Sequence, residues 1–215
     1  VGEIWGTARG QNISIASGVK CHSHSFRLVV PDTAQVAHPE AGFSATFGYY
    51  NSEPLVGNRM TGRWEVEGEP GTVAANGVGG AVFWDATLCV FGEWHFQSVP
   101  LGFAAYLFED CRVGDISGNG FRGYQIATRS GTGGTALSPV GCKRTVFGDV
   151  QGTEVWKPLV YLSIASGAGL APNEAVSIGN IKCSCDNDSL EAMGLAARSF
   201  QGVSIASVNT EGGIY

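Results

Sequence analysis

The sequence predicts an all-β fold with a minor α part: an antiparallel β-barrel or β-sandwich with long Gly/Ser-rich loops and one short C-terminal helix packed on a sheet. Three observations lead there. Glycine supplies 32 of the 215 residues, while charged residues supply only 15%, against roughly 25% in ordinary soluble domains. Short runs of Val, Ile, Phe and Tyr recur between Gly, Pro and Asn, as frequent tight turns between strands would produce. Only one stretch carries a sustained helical period.

In chain order, Asn12–Ser17 reads as a strand closed by Gly18, and similar text recurs at Leu162–Gly167 and Val203–Ser207. Those intervals are not periodic, which argues against a solenoid or propeller. Ser25–Val30 alternates and stops at Pro31-Asp32, and Gly42–Tyr50 ends in Asn51-Ser52-Glu53-Pro54. Arg63–Glu67 puts Trp64 and Val66 on one face and three charges on the other, the pattern of a strand with one wet face. Gly80–Cys111 is the expected centre of the core, with two of the five Trp and five of the eleven Phe. Within it Val82–Phe91 reads as one straight strand, apolar on both faces and therefore covered on both.

Past Cys111, residues Arg112–Gly123 and Arg129–Gly141 read as loops around one strand, Tyr124–Thr128. Val113-Gly114-Asp115-Ile116-Ser117-Gly118 is echoed by Phe147-Gly148-Asp149-Val150-Gln151-Gly152, as two similar turns. Val155–Ile164, interrupted by Pro158, reads as an edge or bulged strand, and Ala175–Cys185 as the next. The helix is Ser189–Phe200. Asp188 and Glu191 stand in capping-box register, Leu190, Met193, Ala197 and Phe200 form a stripe, and Gly202 ends it.

Residues 1–215 are read as a single β-rich domain, expected to be excised from or attached to a larger protein because it opens on Val. A net charge of −6 and a pI near 5.2 oppose nucleic-acid binding, which needs clustered Lys and Arg. No apolar run approaches the roughly 20 residues of a membrane-spanning helix. The sparse charge and a mean hydropathy of +0.07 predict a homo-oligomer, most simply a dimer, that buries part of an apolar surface. Six cysteines are compatible with disulfide pairing or with buried thiols.

Among chemical motifs, Cys21-His22-Ser23-His24 puts two imidazoles on one strand face but lacks further ligands nearby beyond His38, His95 and Glu93. Solvated histidines are the expectation, with no metal and no cofactor. Glu65 and Glu67, with Glu93, Glu109 and Asp110, offer the carboxylates a glycoside hydrolase would need. Gly118–Gly123 matches G-x-G-x-x-G as text, but a strand-like segment follows where a helix is required. Asn12-Ile13-Ser14 and Asn187-Asp188-Ser189 fit the glycosylation pattern, and Asp110, Asp115 and Asn119 could surround calcium.

These readings favour a non-enzymatic surface recognition domain for a receptor or glycan, such as a viral capsid spike or phage fibre tip, extracellular or on a virion. The expected ligand-binding residues are Tyr49, Tyr50, Asn51, Tyr124 and Arg122, with no catalytic residue. A secreted glycoside hydrolase with paired Glu is the alternative, and a purely structural assembly domain the second alternative.

Overall fold

The computed structural model describes residues 13–15, 22–23, 26–30, 43–47, 55–68, 79–97, 101–121, 135–155, 158–162, 171–185, 193–197 and 200–211. Taken coil by coil, its strands are β1 (Ile13–Ile15), β2 (His22–Ser23) and β3 (Phe26–Val30), then β4 (Phe43–Phe47), β5 (Leu55–Val56) and β6 (Arg59–Gly68). The third coil holds β7 (Gly79–Trp84), β8 (Ala86–Thr87) and β9 (Val90–Gln97), and the fourth β10 (Leu101–Tyr106), β11 (Arg112–Val113) and β12 (Ile116–Asn119). The fifth holds β13 (Thr135–Val140), β14 (Val146–Phe147) and β15 (Val150–Val155), and the sixth β16 (Pro158–Leu162), β17 (Asn173–Glu174) and β18 (Ser177–Cys185). The last is β19 (Met193–Ala197), β20 (Phe200–Gln201) and β21 (Ser204–Glu211).

Every pairing between these strands is parallel. Sheet 1 takes one strand from each coil in the order β1-β4-β7-β10-β13-β16-β19. Sheet 2 runs from β2 and β3 through β6, β9, β11/β12, β14/β15 and β18 to β21. A narrow third face joins β5 to β8 and β17 to β20 through single-residue bridges at Thr87, Glu109, Lys143 and Glu174. The chain is a parallel β-solenoid, and the expected antiparallel barrel or sandwich is overturned. Alternation within a strand reveals its inward side but says nothing of the direction in which its neighbour runs.

Coil length explains why the repeat escapes a fixed-period reading. Ala81 stacks on Phe103, 22 residues on, but Ala45 stacks on Ala81, 36 residues on. In the second and sixth coils the passage from sheet 1 to sheet 2 is longer, with 12 residues from Phe47 to Arg59 against 7 from Phe83 to Val90, and 17 from Val160 to Ser177 against 9 from Leu137 to Val146. In the three coils between them the variation is confined to one part of the circuit. Trp84, Tyr106 and Val140 are in register in sheet 1, and Val90, Arg112 and Val146, each six residues later, are in register in sheet 2. Only the return from sheet 2 to sheet 1 differs in length among these three coils.

The third face is built from two sharp corners. Asp85 and Leu107 turn the chain with φ of 54° and 57°, and Gly141 holds the same place at 65°. The second corner uses Leu88, Asp110, Arg144 and Ala175 at φ 43–55°, with Gly57 and Gly202 at 65° and 63°. Each left-handed residue shifts the inward phase, so Phe83, Ala86, Cys89 and Phe91 are all buried. The straight strand expected over Val82–Phe91 is thus β7, β8 and the start of β9, wrapped around two bends.

The expected helix Ser189–Phe200 is overturned as well. Among the described residues there is no helix, and Met193–Ala197 is a strand paired with β16, with Leu195 opposite Val160. Met193 and Phe200, two members of the supposed stripe, are exposed. Short apolar spacing cannot separate helix from strand when an adjacent coil offers a ready edge. Residues 112–119 and 135–141, expected as loops, contribute β11, β12 and β13.

Aromatic side chains fill the middle of the stack. Phe83 lies face to face with Phe103 at 4.6 Å and edge-on to Phe91 and Trp94 at 4.7 and 5.4 Å, while Trp64 stacks on Trp94 at 4.8 Å. Sheet 1 is out of water on both faces in β10, β13 and β16, since Ala104 and Ala105, Ala136 and Leu137, and Leu159 and Val160 are all buried. Five cysteines, Cys89, Cys111, Cys142, Cys183 and Cys185, are buried free thiols. Burial pushes Cys142 up to about 12, which leaves it an unreactive core side chain.

Candidate functional site

Sheet 2 keeps one face wet, and its geometry follows from a short unit repeated in the third to sixth coils. Phe91-Gly92-Glu93-Trp94, Val113-Gly114-Asp115-Ile116, Phe147-Gly148-Asp149-Val150 and Ile178-Gly179-Asn180-Ile181 occupy equivalent places, with the first and last residue of each buried. The glycine marks a bend at which neighbouring coils touch through their backbones. A Cβ on Gly92 would collide with the carbonyl oxygen of Gly62, one on Gly114 would lie 2.7 Å from the Gly92 oxygen, and one on Gly148 2.8 Å from the Gly114 carbonyl carbon.

The polar residue after three of these glycines binds the next coil. Asp115 Oδ1 accepts the Asp149 N–H at 2.9 Å, Asp149 Oδ1 accepts the Asn180 N–H at 2.7 Å, and Asn180 Oδ1 accepts the Ser207 hydroxyl at 2.8 Å. The backbone N–H of Asn180, followed by its side-chain amide, holds the Asp149 carboxyl below the usual carboxylate range. The carboxylates in this row therefore serve as rungs between coils.

Beside that row the outward residues line up across the sheet. Glu65, His95, Ser117, Gln151, Lys182 and Asn209 are in register on successive strands, and Glu67, Gln97, Asn119 and Thr153 stand roughly alongside. Parallel strands set about 4.8 Å apart make these rows evenly spaced rulers of hydroxyl, amide and ionic groups. At β6 and β9 they open into a depression of about 200 Å³ lined by Arg63, Glu65, Val66, Glu67, His95 and Gln97. Trp64 and Trp94 stack beneath it.

His95 is the distinctive group in this depression. Its Nδ1 lies 3.0 Å from Ser117 Oγ, and its pKa is lowered by burial first and by the Arg63 guanidinium second, with Glu65 pulling the other way. Arg63 Nε donates to Glu65 Oε1 at 3.0 Å, an ion pair half open to solvent and so worth little to stability. A neutral imidazole engaged through Nδ1 leaves Nε2 to a ligand. Because the folded ring binds its proton less readily than the unfolded one, stability linked to His95 is complete above about pH 6.5 and declines as the pH falls, until the folded ring itself titrates. Removing the guanidinium with Arg63→Ala is expected to raise the ring's midpoint in an NMR titration and Glu65→Gln to lower it. Midpoints unmoved by either change would mean that burial alone sets the value.

The expected ligand-binding residues Tyr49, Tyr50, Asn51, Tyr124 and Arg122 lie outside the described residues, as do Cys21, His24, His38 and the acceptor residues Asn12 and Asn187 of the glycosylation motifs. Of the carboxylates, Glu65, Glu67 and Glu93 come together on β6 and β9. Glu109 does not join them: it sits on the third face, where Arg144 pairs with it and donates to both oxygens of Asp110 at 2.8 Å. The supposed calcium ligands Asp110, Asp115 and Asn119 are likewise on different parts of the coil, and no three metal-binding side chains converge among the described residues.

Comparison with known protein families, with curated proteins and with solved structures returns no match. The site therefore rests on its own geometry. What sequence reading misses is the row joining His95 to Ser117, Gln151 and Lys182. Its signal is the outward half of each alternating strand, but the register that aligns those halves is a tertiary property.

Proposed function

We propose that this chain is a non-catalytic recognition domain that binds an extended, uncharged glycan along the wet face of sheet 2. The observation that carries the reading is the in-register polar row centred on the His95 depression. It offers donors and acceptors at a constant spacing and no large apolar patch. Arg59, Arg63, Arg112 and Lys182 are interspersed on this face with Glu65, Glu67 and Glu93, a mixture that favours neither a polyanion nor a polycation. Recognition of hydroxyl-rich polymers relies on many such hydrogen bonds, each of modest net worth.

The test is an array of neutral and charged polysaccharides probed with the 215-residue chain. Binding to neutral extended glycans is expected, weakened about tenfold by His95→Ala or Gln97→Ala, in line with the loss of one or two hydrogen bonds. Absence of any glycan ligand would sink the reading. A second reading, hydrolysis, draws on Glu65, which lines the depression, and Glu93 on the neighbouring strand beside it. It would displace the first if bound polysaccharide were shortened by the chain and spared by the Glu65→Gln variant.

A further inference from the structure

We infer that Cys183 and Cys185, neighbours on the inward side of β18, form a two-sulfur site for a soft monovalent cation of the Cu(I) type. Both side chains are buried, and their sulfurs stand 3.4 Å apart. The other described thiols are engaged differently. Cys89 Sγ donates to the Leu55 carbonyl at 3.2 Å, Cys111 Sγ to that of Ala86 at 3.2 Å and Cys142 Sγ to that of Ala105 at 3.5 Å, each reaching back to the preceding coil. Among the described residues the sulfurs of Cys183 and Cys185 bond only to each other. Burial first, and the Cys185 sulfur second, raise the Cys183 thiol well above its ordinary range, so the empty pair carries its proton between the two sulfurs.

Geometry sets this pair apart from a disulfide. Alternate residues of a parallel strand lie about 6.6 Å apart, with their Cβ atoms at a similar separation, whereas a disulfide needs Cβ atoms about 3.5–4.5 Å apart. A metal between the sulfurs asks for far less. With thiolate–metal bonds of about 2.3 Å, the length found for zinc, the sulfurs must stand roughly 4–4.6 Å apart, which a small rotation of each side chain supplies. The number of ligands decides which metal. Zinc takes four, and no three metal-binding side chains converge among the described residues; thiolates favour soft cations such as Cu(I), for which two sulfurs suffice. Register sets Gly152 and the fully buried Val155 on one flank of the pair and Thr210 on the other, so the in-register neighbours bring no charge that would compete for the ion. Loading breaks two S–H bonds, forms two S–metal bonds and releases two protons to solvent, with no electron transferred. Affinity therefore falls as the pH drops.

Anaerobic titration of the reduced 215-residue chain with Cu(I), against a competing Cu(I) chelator such as bicinchoninate, tests the site, with Ag(I) as a redox-inert stand-in. One tightly held equivalent is expected, with a near-ultraviolet thiolate-to-metal absorption. Cys183→Ser and Cys185→Ser should each weaken binding by at least about tenfold, while Cys142→Ser retains it. Native mass spectrometry of the Ag(I)-loaded parent chain adds a readout that needs no variant to fold: fragmentation should leave the metal on pieces that contain Cys183 and Cys185. Complete removal of the metal by the chelator, metal found on other cysteines, binding indifferent to both serine substitutions, or a Cys183–Cys185 disulfide in the air-exposed chain would each overturn the inference.

Discussion

Replacing Gly92 with alanine is expected to cost at least about 3 kcal/mol of stability, the upper range for overpacking a closed site. The added methyl would strike the backbone carbonyl of Gly62, which cannot rotate away as a side chain could. Relief requires β6 and β9 to separate, and their ladder runs from Arg59–Val90 to Glu67–Gln97. Gly202→Ala supplies the comparison. Its nearest neighbour would be 3.7 Å away, and only its φ of +63° opposes a side chain, a penalty of about 1–2 kcal/mol. Urea denaturation of both variants measures the difference. A Gly92→Ala protein within about 1 kcal/mol of the parent, by the resolution such series allow, would mean that the coils do not stack in this register.

Phe83→Ala is expected to cost about 3–5 kcal/mol, as for large aromatic truncations in closed cores. Phe83 is completely buried and, among the described residues, touches the rings of Phe91, Trp94, Phe103 and Phe108, contributed by both sheets and the turn between them. Its neighbours are held by in-register backbone ladders and cannot collapse into the space, so most of the cavity should persist. Thermal and urea unfolding give the loss directly. A change under about 1 kcal/mol would show that the void is filled by movement between coils.

Much of the strand content is legible in the amino-acid sequence, because inward and outward sides follow from alternation alone. Trp64 and Val66 inward with Arg63, Glu65 and Glu67 outward is the clearest instance. Stacking direction is not legible. The echo at 113–118 and 147–152 is visible in the text and is a true equivalence between successive coils, but the same unit at Phe91–Trp94 and Ile178–Ile181 follows intervals of 22, 34 and 31 residues that no single period captures. The more conspicuous echo misleads: Ile13–Ile15 belongs to sheet 1, while Ser204–Ser207 belongs to sheet 2. At the candidate site, Glu65, Glu67, Glu93 and His95 stand out singly. Their assembly depends on pairing β6 with β9 across a bulge between Met60 and Arg63, a register set by packing and not by local composition.

The constant six-residue step from Tyr106 to Arg112, and from Val140 to Val146, has a practical corollary. A residue inserted there would rotate the rest of its coil and turn the buried ladder of Val113, Phe147 and Ile178 toward water. Residues added after the buried Phe121 would meet no such constraint, since the interval from Asn119 to Thr135 already far exceeds that from Gln97 to Leu101. The third to fifth coils thus separate a rigid gauge from a free margin, and foreign peptides could be grafted into that margin while the scaffold keeps its bore.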